Sequence, residues 1–237
     1  MRAINFFCFK FFFAALLSWA APAIGQDAPQ PREERVETAR ESVRALKQGT
    51  LIVRLPSYQT KIDGLKDILS SAGPDSPNRK RIEKQLEQTL ADRQEFNHNM
   101  MEAFREAYNF SEVHFMLDTA TATLKTGQLQ GYFLNDNLET DPAIQLEGPI
   151  PYFILRFGST SNMMTDGLEA MVVMNDRFQD MYKPFPYYQR LNDFAAVMGS
   201  IFPAPDQKKK DALRIVGKLN AKLHDFYQEA RLVVDGS

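Results

Sequence analysis

The stretches 51–55, LIVRL, and 112–117, EVHFML, decide how this chain is read. The first is apolar apart from Arg54, as expected of a strand with both sheet faces covered. Pro56 and Ser57 end it. The second is too short and too abruptly bounded for a helix. Between them the apolar period is helical. Ile62, Leu65 and Leu69 share a face over Tyr58–Ser70, and Ser71–Pro77 is a turn-rich break. A long helix then runs to Tyr108, with Ser76 as its N-cap and Pro77 at its first position. Ile82, Leu86, Leu90, Met100, Phe104 and Tyr108 trace its apolar face. Its middle, Asp92–Asn99, holds Phe96 and little else to bury, which predicts an exposed turn or a contact with a partner. A strand, a helical hairpin and a second strand imply a parallel pair joined by a right-handed crossover.

Upstream, Val36, Ala39, Val43 and Leu46 form one stripe of a helix over Glu34–Gln48, stopped by Gly49. Downstream, strands are predicted over Thr119–Thr126 and Gly131–Leu134, followed by a long polar loop, Asn135–Gly148. Tyr152–Phe157 and Leu168–Met174 read as an antiparallel pair. Arg177–Arg190 is rich in aromatic residues, and Pro184 and Pro186 make it a poor helix. A short helix is expected over 191–199. A last helix opens near Asp206, with Leu213, Val216, Leu219, Leu223, Phe226 and Ala230 on one face.

These segments give an α/β or α+β fold, a mixed central sheet of about four to five strands with covering helices and a long helical crossover. The general order is similar to that of a thioredoxin-like fold, as an analogy of element order alone. Residues 34–237 are expected to form a single domain, with a break in the 135–148 loop as the alternative.

The N-terminus carries an address. MRAINFFCFKFFFAALLSWAAPAIG has basic residues early, an apolar run from Phe11 to Ala21 and small residues after Pro22. This is the layout of a secretory signal peptide, and the run is too short to span a bilayer. The expected cut follows Gly25, with Ala20 and Ala23 as alternatives, so residues 1–25 are the leader and 26–33, QDAPQPRE, a flexible linker. A retained membrane anchor is the other reading. No later stretch has eighteen apolar residues, so no permanent span is expected after cleavage.

The only cysteine, Cys8, lies in the leader. The 212 residues that follow it are free of thiols and are enough to bury a core without disulfides. Disulfide exchange is thereby disfavoured even for a thioredoxin-like order. The full chain has 28 Lys and Arg against 30 Asp and Glu; losing Arg2 and Lys10 with the leader moves the net charge from −2 to −4. Nothing in that balance suggests nucleic acid. The clusters Arg79-Lys80-Arg81 and Lys208-Lys209-Lys210 read as solvated helix faces. Secreted or periplasmic is the expected location. Asn109-Phe110-Ser111 has the form of a glycosylation acceptor.

Chemistry is sparse. His98, His114 and His224 sit in different elements without ligand spacing, so no metal site and no cofactor are expected. There is no phosphate-binding glycine loop, and no G-x-S-x-G elbow. Asp136, Glu139 and Asp141 crowd one loop without an ordered ligand spacing. A ligand site in such a fold belongs at the carboxyl ends of parallel strands. That points to Arg54, Asp118 and Arg156, two arginines interrupting apolar strands and one aspartate just past a strand. Ion pairing, such as Arg54 with Asp118, or simple edge exposure is the plain alternative. The strand-end residues could bind an anion or a small polar ligand, and the segment MYKPFPYY supplies Tyr182, Phe185, Tyr187 and Tyr188 as a surface for a glycan or a protein; filling of the core is the plain alternative for that segment. The function expected is an exported, non-catalytic binding or interaction protein. The alternative is an envelope hydrolase or small-ligand-binding protein with a non-standard polar site.

Overall fold

The structure, a computed structural model, describes residues 31–73, 76–146, 148–160, 169–191 and 205–235. The leader, most of the 26–33 linker, Leu168 and all but the first residue of the 191–199 segment lie outside the described residues.

Helix α1 spans Arg32–Gln48, two residues longer at its start than the apolar stripe predicted. Ala39, Val43 and Leu46 are its buried residues. Gly49 then lets the chain enter strand β1, Thr50–Leu55, hard against Pro151: an added Cβ would lie 2.0 Å from the Pro151 carbonyl oxygen. The crossover is α2, Gln59–Ser71, and α3, Arg79–Ala107, leading to strand β2, Glu112–Leu117. Ser76 and Pro77 do not open α3. They fold into the preceding turn, and Asn78 takes the cap position without a side-chain bond.

Strands β3, Tyr152–Ser159, β4, Glu169–Met174, and β5, Tyr188–Arg190, complete a sheet of order β2-β1-β3-β4-β5. β1 is parallel to β2 and to β3, while β4 is antiparallel to β3 and to β5. This is the mixed α/β sheet with covering helices that the sequence implied.

The predicted strand 119–126 is instead a 3-10 turn, Asp118–Ala120, running into the short helix α4, Thr121–Lys125. The Thr121 hydroxyl bonds the Asp118 carbonyl and starts this turn. Local side-chain to backbone bonding of this kind competes with strand pairing. Gly131–Leu134 makes only single bridges, Phe133 with Met116 and Leu134 with Thr140. Helix α5, Pro205–Asp235, closes the fold against α3, α1 and β5.

Strand alternation sorts the interior into two cores. Leu51, Val53, Leu55, Leu155 and Val173 face α1, α3 and α5. Ile52, Met116, Ile154 and Met174 face the opposite way, under Leu124, Tyr132 and Phe133 of the 118–146 segment. Helices thus cover one face, and mostly irregular chain covers part of the other.

The basic clusters are not simply solvated. Arg79 donates to the Leu69 and Ala72 carbonyls at the end of α2, each 3.2 Å away, and pairs with Glu83. Lys208 pairs with Glu95 at 2.7 Å and Lys209 with Glu102 at 3.0 Å, clipping α5 to α3. The polar middle of α3 is therefore a seam within the chain. Phe96 meets Phe157 edge-on, and buried Asn97 donates to the Pro56 carbonyl at 3.1 Å, leaving its own oxygen without a partner. Among the described residues no helix is long and apolar enough to cross a membrane.

Candidate functional site

At the carboxyl ends of β1 and β2 the three predicted residues come close together, and no depression among the described residues is lined by all three. Arg54 stands opposite Arg156 in the parallel register, with Met116 on its other side. Arg156 is spoken for. It holds Asp180 through two bonds, 3.1 and 2.6 Å, and donates to the Ser159 carbonyl at 3.0 Å. It therefore clips the 175–187 segment to β3.

Arg54 is half-buried and makes no hydrogen bond or ion pair among the described residues. Burial pushes its guanidinium below the usual arginine range; Asp118 opposes that shift and Arg156 adds to it. The expected Arg54–Asp118 pair does not form. Asp118 instead accepts the Ser57 backbone N–H at 3.1 Å, fixing the turn after β1 to the turn after β2. Of the three, only Asp118 lines the shallow depression there, of about 460 Å³, along with Tyr58, Lys61 and Thr119.

Tyr58 was no candidate in the sequence, yet its backbone is left-handed at φ 51°. A non-glycine residue in that region stores about 1–2 kcal/mol of strain. Its hydroxyl has no hydrogen bond among the described residues. Burial first, then the carboxylates Asp92, Asp118 and Glu169, raise its pKa.

The larger concavity lies elsewhere, at the β5 edge of the sheet. It is a groove of about 600 Å³ between the first turns of α1, the 183–188 segment and α5. Arg32 and Arg35 come from α1, Lys183 from the segment and Lys222 from α5. The spacing i, i+3, i+4 puts Arg32, Arg35 and Val36 on one face of α1. Glu33, Glu34 and Glu37 fall outside the groove, and Glu37 is held by Arg44 at 2.8 Å and by Arg40 at 3.4 Å. The bond from Arg44, then that from Arg40, keeps the Glu37 carboxyl below its ordinary pKa against the effect of burial.

No carboxylate lines the groove. Among the described residues Arg32, Arg35 and Lys183 have no ion pair. Lys222 only reaches the Tyr188 carbonyl, at 3.4 Å, with its charge 5.7 Å from the Tyr188 ring.

The aromatic segment divides between two tasks. Phe185 is 1% exposed and is not a contact residue. Its ring lies parallel to Phe153 and edge-on to Phe226, so it anchors the segment in the helix-covered core. Tyr187 and Tyr188 line the groove with their rings 4.8 Å apart, each partly exposed. Burial, then Tyr188 and Asp180, raises the Tyr187 pKa. Tyr182 is exposed but stands outside the groove.

Arg32 was hidden in the sequence because the prolines before it suggest a linker. The Arg32/Arg35 spacing was the one local signal. Lys183 and Lys222 join only through tertiary structure.

Among the described residues no group of histidine and carboxylate side chains is arranged to hold a metal. His98 lies 3.5 Å from Glu102 and His114 3.1 Å from Glu112, while His224 bonds the Asn109 side chain at 2.9 Å. The acidic loop is engaged too: Asp136 pairs with Arg105, and Asp141 accepts the Ala143 N–H. No family model matches the chain, and no curated protein or solved structure matches it either. The thioredoxin-like order therefore stays an analogy of element order.

Proposed function

We propose that this is an exported, non-catalytic binding protein whose contact surface is the basic groove, and that its ligand is anionic. One observation carries the reading: four cations from three separate elements converge on one concavity that has no carboxylate in its lining. Unpaired cations held together repel one another, and an anion relieves that repulsion. Arg32 and Arg35 also sit in the first turn of α1, where cations oppose the helix dipole and an anion is favoured. The leader layout of residues 1–25 supports export, to a secreted or periplasmic location.

Thermal melting in dilute buffer tests the binding half, with polyglutamate, polygalacturonate or dextran sulfate added. At least one polyanion is expected to raise Tm, and salt near physiological strength to shrink the rise. No response to any of the three would remove the reading. Fractionation with N-terminal sequencing tests the other half: the product should start near Gln26, whereas a cytoplasmic product retaining Met1 contradicts export.

A second reading, a small polar ligand at the strand ends or an envelope hydrolase built there, is supported by Arg54, which has no partner among the described residues, and by the strained Tyr58, both within the field of Asp118. A titration with inorganic phosphate and citrate, followed by NMR of the Tyr58 and Arg54 resonances, distinguishes it from the groove.

A further inference from the structure

The lining of the groove says more about its ligand than its charge does. Apart from the tyrosine hydroxyls, its polar side chains are all lysine and arginine, which donate hydrogen bonds and accept none. No Asp, Glu, Asn, Gln, Ser or Thr side chain takes part. A neutral sugar brings no charge to answer these four cations. The matching chemistry for those cations is a set of groups that only accept, as carboxylates do.

The rest of the lining is apolar: Val36, Pro184 and Pro186 lie beside the tyrosine rings. The cations are spread over α1, the 183–188 segment and α5. Such a spread suits several separated anionic groups better than one phosphate. Arginine and tyrosine at a concave site are also the residue types that dominate protein–protein contacts. Phe185, stacked in the core, holds the segment in place, so little chain ordering opposes binding.

We propose that the groove docks a short acidic peptide segment of another protein, with an apolar side chain seated between its carboxylates. This rests on the reading of the groove as the binding surface.

The test uses the purified protein and a fluorescein-labelled peptide of alternating Glu and Leu, read by fluorescence anisotropy in dilute buffer. Peptides of alternating Gln and Leu, and of Glu alone, are run beside it. Unlabelled polygalacturonate and phosphatidylglycerol vesicles are added in separate arms. The Glu/Leu peptide is expected to bind at least about tenfold more tightly than either other peptide. The double variant R35E/K222E, with an unchanged melting curve, is expected to weaken it by about tenfold or more.

Binding of polygalacturonate or vesicles that needs Arg35 and Lys222, without binding of the Glu/Leu peptide, overturns the peptide proposal and leaves the anion-binding reading in place. Equal affinity for the Glu-only peptide overturns the apolar anchor. If no probe binds, or if R35E/K222E changes nothing, the peptide proposal and the groove reading both fall.

Discussion

The strand-end cluster and the β5-edge groove both gather cations, and they treat them in opposite ways. At the strand ends Arg156 has Asp180 and a backbone carbonyl, and Arg54 has Asp118 close enough to moderate its charge. In the groove Arg32, Arg35, Lys183 and Lys222 face each other with no carboxylate in the lining. The first arrangement joins secondary-structure elements. The second leaves charge unspent at a surface. A charge inside a sheet that is left unanswered costs stability, whereas a charge on a groove wall can wait for a ligand.

The sharpest way to break that contrast is at Phe185. If it is the fixed base of the groove, Phe185→Ala costs about 3–5 kcal/mol in urea unfolding, as truncation of a core aromatic does. A loss well under that range would mean that the segment is not anchored as described. Asp180→Ala comes next. It leaves the Arg156 guanidinium without its carboxylate in a position only 16% exposed, and should cost about 1–2 kcal/mol after partial solvent screening. Replacing both residues together, Arg156→Met with Asp180→Leu, should recover most of that loss.

Arg54 should behave the other way. Arg54→Met removes a half-buried charge without a partner among the described residues, so a gain of about 1 kcal/mol is expected. A loss instead would show that Arg54 has a structural partner.

A pH series separates the regions further. No histidine or carboxylate lines the groove, so polyanion affinity should stay level between about pH 5.5 and 8. Stability should not stay level. Burial, then the nearby Lys47, lowers the His224 pKa, with Asp225 opposing, so folding favours the neutral ring. That contribution is complete above the ordinary histidine pKa and is lost as pH falls below it. His224→Gln should flatten the slope of Tm between about pH 7 and 5. A slope that survives the substitution assigns the effect to other groups. The smallest expected effect on stability is at the groove rim, where Arg35→Glu or Lys222→Glu should stay within about 0.5 kcal/mol.

The legible parts of this fold were those where one element carries its own signal. LIVRL reads as a two-sided strand because five consecutive positions are nearly all apolar, and β1 is covered on both faces. The 119–126 segment was misread because its alternation is short and its threonines bond their own backbone. The middle of α3 was misread because its polar residues are satisfied by α5 and by the end of β1, which no local pattern reports. Arg54, Asp118 and Arg156 were placed near one another by strand logic. Which of them is paired depended on Asp180 and Ser57, contributed by other segments.

By itself the sequence determined the helical crossover, the parallel β1–β2 and antiparallel β3–β4 pairs and the absence of thiols after Cys8. Each follows from local period, local length or plain composition. Only the tertiary structure decided which charges are answered and which are not. Charge pairing is a matter of distance between side chains far apart in the chain, and the groove draws its cations from residues 32, 35, 183 and 222.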